Sequence, residues 1–127
     1  MKYVNTFYAN IYCGLRSSYS TFYYSIEDAN KVIDKYINEF KDGVTVTETS
    51  FRYVDGWEPG IIVGFICYPR FKRSESEIRN RAFLLANRLR KELHQERVSV
   101  VMPSETVMFD DEDNNLTFSI NGNTPQQ

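Results

Sequence analysis

The sequence predicts an α+β domain of the ferredoxin-like kind: a βαββαβ order with two helices on one face of an antiparallel sheet, plus a C-terminal hairpin strand. Three observations predict it. Residues 7–16, FYANIYCGLR, alternate, with Phe7, Ala9, Ile11, Cys13 and Leu15 on one side and Tyr8, Asn10, Tyr12 and Arg16 on the other, the period of a strand with one buried face. Two segments, opened by Ser25 and by Ser74, carry apolar residues at helical spacing. The runs between and after them are rich in β-branched and aromatic residues and are bounded by Gly and Pro.

Taken in order, the first strand gives way to SSYSTFYYS, a polar loop laced with aromatics. Ser25 then opens a helix, with Asp28 three positions on as a variant of the capping box. Ile26, Ala29, Ile33, Tyr36, Ile37 and Phe40 form its stripe, and Asp42-Gly43 ends it. Residues 44–54, VTVTETSFRYV, are the second strand. Its alternation slips between Val46 and Phe51, which predicts a bulge near residues 47–49. DGWEPG reads as a turn too long for a tight two-residue hairpin. IIVGFICY, residues 61–68, is apolar on both faces, as a central strand is, and Pro69 stops it. Ser74 and Glu77 form a capping box before the clearest helix, whose stripe of Ile78, Ala82, Leu85, Ala86, Leu89 and Leu93 runs to about residue 95. RVSVVMP, residues 97–103, is a strand that ETVMF continues after a break at Pro103. DDEDNN is a turn, LTFSI a hairpin strand, and NGNTPQQ a frayed end. The organisation is one domain over residues 1–120 with a flexible tail at 121–127.

A chain of 127 residues with 42% hydrophobic and 25% charged residues suits one soluble domain. No apolar run approaches the roughly 18 residues needed to span a bilayer, and the N-terminus has no apolar signal core, so no membrane partner is expected. Cys13 and Cys67, without a CxxC pair, fit a reduced cytoplasmic setting, the host cytoplasm if the chain is phage-encoded. The net charge of −2 is unevenly spread: residues 70–97 hold nine of the fifteen Lys and Arg against four acids. A basic surface beside an acidic one follows, and strong binding to duplex DNA does not.

No catalytic signature is visible. His94 is the sole histidine; its place near a helix C-terminus suits the dipole, and a lone His argues against a His-based zinc site. Cys13 lies on the core side of its strand, and neither it nor Cys67 has a base placed beside it in the sequence. DDEDNN lacks the ligand spacing of an EF-hand. No catalytic residue, metal or cofactor is therefore expected. The candidate ligand site is PRFKRSESEIRNR, residues 69–81. Arg70, Arg73 and Ser74 stand at a helix N-terminus, where free N–H groups and the dipole attract anions. Arg79 follows in the next turns, and Tyr68 or Phe71 is near enough in sequence to stack on a base. Trp57, Tyr8 and Tyr19 are interface candidates, because a lone Trp and an open sheet face both need cover. That face is expected to carry Tyr8, Tyr12, Val63 and Phe65, covered by the C-terminal segment, a second copy of the chain or a stacked ligand.

The stretches IYCGLR, residues 11–16, and GFICY, residues 64–68, are similar to the first- and third-strand motifs of the RNA-recognition-motif family, which shares the βαββαβ order. The resemblance covers most of residues 7–103 and implies single-stranded RNA stacked on Tyr12 and Phe65. The chain departs from that pattern where Ile61, Ile62 and Val63 replace a basic-Gly-aromatic triplet and where the first motif lacks its Asn. In overall style, a short Asn- and Tyr-rich chain resembles small phage accessory, counter-defence proteins, some of which block a host enzyme while others sequester a nucleotide signal. The expected function is a non-catalytic binding protein, not an enzyme, acting as a homodimer or larger. It captures a phosphate-bearing, nucleotide-type ligand or blocks a host protein. The alternatives are a single-stranded RNA-binding module and a small enzyme of unknown reaction.

Overall fold

Ser25 and Ser74 open two helices, as their sequence context predicts. The computed structural model describes residues 1–18 and 20–110. Helix α1 spans Ile26–Phe40, and its capping box is complete: the Ser25 hydroxyl accepts from Asp28 N at 3.1 Å while Asp28 Oδ2 accepts from Ser25 N at 2.9 Å. It stops at Lys41, whose backbone is left-handed at φ 53°. Helix α2 spans Glu75–Glu92, with Ser74 Oγ accepting from Glu77 N at 3.1 Å. The Glu77 carboxylate faces Arg73 Nε at 3.9 Å. Left-handed His94, φ 47°, takes the chain out of α2 just past its Leu93 cap, short of the predicted end near residue 95.

The strands are β1 Tyr8–Gly14, β2 Thr45–Tyr53, β3 Gly56–Ile66, β4 Val98–Val101 and β5 Thr106–Phe109. They form one antiparallel sheet in the order β2-β3-β1-β4-β5. The first four reproduce the predicted ferredoxin-like order, and β5 adds a hairpin strand beside β4. ETVMF supplies that strand rather than extending β4: Pro103 falls in a turn that Met102 N closes by donating to Glu105 O at 2.9 Å. LTFSI and the tail lie outside the described residues.

Register corrects two expectations. The β2–β3 pairing runs without a break from Thr45 opposite Gly64 to Tyr53 opposite Gly56, so there is no bulge at residues 47–49. DGWEPG is not a long tip; the turn is the two residues Val54 and Asp55, with Asp55 left-handed at φ 64°, and Trp57 already belongs to β3. A Cβ at Gly56 would sit 2.5 Å from the ring of the exposed Tyr53, which would have to swing aside.

On the covered face, Ala9 stands opposite Phe65, Ile11 opposite Val63 and Cys13 opposite Ile61, all buried. Ile33 and Tyr36 of α1 and Ile78, Leu85 and Leu89 of α2 close over them. Leu85 and Leu89 are both fully buried. Leu85→Ala and Leu89→Ala should each destabilise the protein by about 2–5 kcal/mol in denaturant unfolding. A loss below about 0.5 kcal/mol at both positions would place the core elsewhere. Among the described residues no helix is long and apolar enough to cross a membrane.

Candidate functional site

The face turned away from the helices carries Tyr8, Asn10 and Tyr12 from β1, Ile62 and Ile66 from β3, and Thr49 and Phe51 from β2, as the pairings of Tyr12 with Ile62, Tyr8 with Ile66 and Thr49 with Gly60 require. The open face expected from the sequence therefore exists and carries Tyr8 and Tyr12 as expected, but its β3 occupants differ. Val63 and Phe65 belong to the core; Phe65 is 2% exposed, and its ring meets that of Tyr36. Tyr12 and Phe65 lie on opposite faces, so the stacking pair implied by the RNA-recognition resemblance is not formed. Tyr8 is half-buried opposite Ile66, Trp57 is exposed beside Arg52, and Tyr19 lies outside the described residues.

The predicted anion cluster is divided. Arg73 is bound to the buried Asp42 carboxylate, and Arg79 to Glu105. The Arg70 guanidinium lies 5.2 Å from the Phe71 ring centroid, and Ser74 is occupied as the α2 cap. Tyr68, Phe71 and Arg73 share a groove of about 550 Å³ with Lys41, Val44 and Ile66, while Arg79 lies over the Phe83 ring. Arg73 and Arg79 are thus each paired with a carboxylate, and Glu75 and Glu77 stand in the first turn of α2.

A larger cleft, about 870 Å³, opens at the end of the sheet where β1 stops, β3 passes and α2 finishes. Arg16, Ser17, Ser20, Glu58, Gln95 and Arg97 line it. One wall is the loop after β1. It folds on itself through Ser17 N to Phe22 O at 2.8 Å and Tyr24 N to Leu15 O at 2.8 Å. It is fastened to the end of α2: Ser18 N donates to His94 O at 2.9 Å, and the Tyr24 hydroxyl meets His94 Nδ1 at 2.5 Å, the two ring planes lying within 19° of each other. The sole histidine is thereby used as a clamp.

Gln95 forms the floor. Its amide nitrogen donates to Arg16 O and to Leu93 O, both at 2.8 Å. Its Oε1 would lie 3.0 Å from a Cβ at Gly14, and Glu58 Oε2 would lie 3.3 Å from that same Cβ. Gly14 therefore lets a carboxylate and an amide oxygen converge on bare backbone. Glu58 stands in β3 opposite Phe51, its side chain 24% exposed, and forms a long ion pair with Arg16 Nε at 3.9 Å. Phe51 folds over Gly60, where a Cβ would be 2.2 Å from its ring, and its centroid is 6.5 Å from that of Tyr12. The cleft thus joins an aromatic platform on the open face to a pocket of mixed charge.

Glu58, Gln95, Arg16 and Arg97 were not singled out from the sequence. Glu58 hides inside DGWEPG, and only its place in a strand, opposite Phe51, marks it as a charge set beside the aromatic residues of the open face. Cys13 lies just below. Burial, reinforced by the charge of Glu58, pushes its thiol up to about 12, so it stays protonated and is no nucleophile.

No protein-family model and no curated protein matches the chain. Two solved structures are similar to it. One is a phage SAM lyase in complex with S-methyl-5'-thioadenosine, 18% identical, covering 88% of this chain and 95% of that one with a TM-score of 0.73. The other is a phage SAM lyase in the apo state, 16% identical, covering 84% and 90% with a TM-score of 0.68. The likeness is one of fold, and both neighbours are phage proteins, in keeping with the accessory-protein style of the sequence. It corrects the expected function: a non-catalytic binding role, and a chain that is not an enzyme, do not stand against a fold that over most of its length is that of a phage enzyme. The small molecule held by that neighbour is nucleoside-derived, as a small-molecule partner was expected to be, but it carries no phosphate.

Proposed function

We propose that this chain is an enzyme that cleaves S-adenosylmethionine to S-methyl-5'-thioadenosine without adding water, using the cleft around Glu58. The observation that carries the reading is the fold shared with the thioadenosine-bound phage SAM lyase over 88% of this chain. The cleft supports it, because its chemistry suits a zwitterionic amino acid joined to a nucleoside.

Cleavage breaks the bond between sulfur and Cγ, and the bonding pair goes to sulfur. The sulfonium leaves as a neutral thioether, so no acid has to protonate it. The four-carbon remainder closes when its own carboxylate oxygen bonds to Cγ, giving a lactone that keeps the ammonium. Charge and atoms balance with no proton moved, which explains how a cleft with no His or Cys nucleophile can serve. Opposite charges vanish as the bond forms, so apolar surroundings favour the transition state. Phe51, Tyr12 and Ile62 supply them beside the cleft. A carboxylate against the sulfonium would stabilise the starting state more than the transition state. Glu58 is therefore assigned to the ammonium, which stays charged throughout, and the Phe51–Tyr12 platform to the adenine.

The test is incubation with S-adenosylmethionine in ¹⁸O-labelled water, followed by mass spectrometry. The expected products are S-methyl-5'-thioadenosine and a lactone with no label at its γ oxygen. Label at that oxygen would make the reaction a hydrolysis, and no thioadenosine after an hour at micromolar enzyme would overturn the reading.

A further inference from the structure

We infer that residues 111–127, the part of the chain beyond β5, dock along the outer face of α2. Asn80 and Asn87 mark that face. They precede Leu89, which is buried against the sheet, by about two and a half turns and about half a turn of helix. Both therefore point away from the sheet, where a surface helix ordinarily meets water. Yet Asn80 is 1% exposed and Asn87 8%, and beside them Phe83 is 3% and Arg90 2% exposed. Polar and charged side chains are seldom buried so far unless something packs over them.

The described elements packed on α2 approach it from other sides. The sheet takes Ile78, Leu85 and Leu89. Helix α1 meets the flank of Arg81 and Arg88: Arg81 Nη1 donates to Phe40 O at 3.4 Å, and Arg88 Nη2 to Glu39 Oε2 at 2.8 Å. Strand β5 and the turn before it meet the opposite flank, through Phe109 against Phe83 and Glu105 bound to Arg79. Asn80 and Asn87 stand between those two flanks.

The chain beyond β5 fits that gap in origin, reach and chemistry. Strand β5 delivers it there, because the Phe109 ring centroid is 5.2 Å from that of Phe83 and Asp110 follows at once. Seventeen residues come after Asp110. About ten of them extended, at roughly 3.3 Å each, outrun a helix of 18 residues, which is about 27 Å long. Phe109 pairs with Val98, just past the end of α2, so the acidic run DDED at 110–113 starts near Arg90 and Lys91. A buried guanidinium such as Arg90 needs a carboxylate against it. Farther on, Leu116, Phe118 and Ile120 are the only large apolar side chains of the segment. They alternate with Thr117 and Ser119, so an extended chain sets all three against the helix. Asn87 Oδ1, buried with no hydrogen-bond partner among the described residues, offers an acceptor to the backbone of such a chain.

Thiol labelling of Asn87→Cys tests this, in a Cys67→Ser background where the other cysteine, Cys13, is buried. In the full chain the new thiol should react with a disulfide reagent at least about tenfold more slowly than in the same protein ended after Asp110, since the reagent reaches it only when the cover opens. Leu116→Asp/Phe118→Asp in the full chain should speed labelling to near the shortened chain's rate, and Thr117→Asp/Ser119→Asp should change it by less than about threefold. Equal rates with and without residues 111–127 overturn the inference, as does shielding that Leu116→Asp/Phe118→Asp leaves untouched. Should the shortened chain not fold, the two full-length double variants decide; should Asn87→Cys not fold, Asn80→Cys takes its place. No outcome depends on whether the chain cleaves S-adenosylmethionine.

Discussion

Glu58→Gln should lower kcat/KM for S-adenosylmethionine cleavage by about two orders of magnitude while leaving the fold intact. The amide keeps the shape of the carboxylate and removes only its charge. At 1.36 kcal/mol per tenfold, the loss is about 2.7 kcal/mol, within the range for removing one partner of a partly desolvated charge contact. Its main effect should fall on KM, because the ammonium that Glu58 is assigned to hold is charged in both the ground and the transition state. Glu96→Gln is the control. Glu96 lines the same cleft but is paired with the adjacent Arg97 at 3.3 Å, and its loss should change kcat/KM by less than about threefold. Initial rates of thioadenosine release measure both. A fall of less than about threefold for Glu58→Gln would detach this carboxylate from the reaction.

The largest effect on stability is expected at Asp42. Its side chain is fully buried between the end of α1 and the start of α2. It accepts from the Tyr36 hydroxyl at 2.6 Å and from Gly43 N at 2.8 Å, binds Arg73, and meets Arg81 Nη1 at 3.5 Å. Asp42→Asn leaves two guanidiniums facing a neutral amide and should cost about 3–5 kcal/mol in denaturant unfolding. A loss below about 1 kcal/mol would mean that water takes the place of the carboxylate.

Burial alone would raise the Asp42 pKa, but the hydrogen bonds from Arg73, Tyr36 and Gly43 outweigh it and hold the group below the ordinary Asp value. A depressed carboxylate adds stability above its unfolded pKa, about 3.9, and that stability is lost as pH falls through the lower folded value. Acid titration of stability should therefore be steeper below about pH 4 for the parent than for Asp42→Asn.

Much of the fold was legible because its signals are local. The helices declare themselves through their Ser caps and apolar stripes, and β1 through its alternation. The face of β3 was not legible. IIVGFI is apolar on both sides, and only pairing of Ile11 with Val63 across the sheet assigns Val63 and Phe65 to the core. The turn was misjudged for a related reason. Gly56, Pro59 and Gly60 carry turn propensity, yet Pro59 fits within β3 because that part of its rim faces the chain just past the end of β1, where Leu15 needs only its carbonyl. Arg73 before α2 and Arg79 within it looked like an anion site because their carboxylates, Asp42 and Glu105, are more than twenty-five residues away in sequence. The cleft was missed because Gly14, Glu58 and Gln95 come from three separate elements that only register brings together.

The clamp between His94 and the loop after β1 has a kinetic consequence. Ser18 and Tyr24 are already fixed to the end of α2 before any ligand arrives. The described part of that wall then has little backbone freedom left to lose on association. Affinity is not reduced by the entropy of ordering a loose segment, and encounter is not slowed by waiting for a rare closed form. For the proposed reaction, no ordering of that wall has to precede the chemical step.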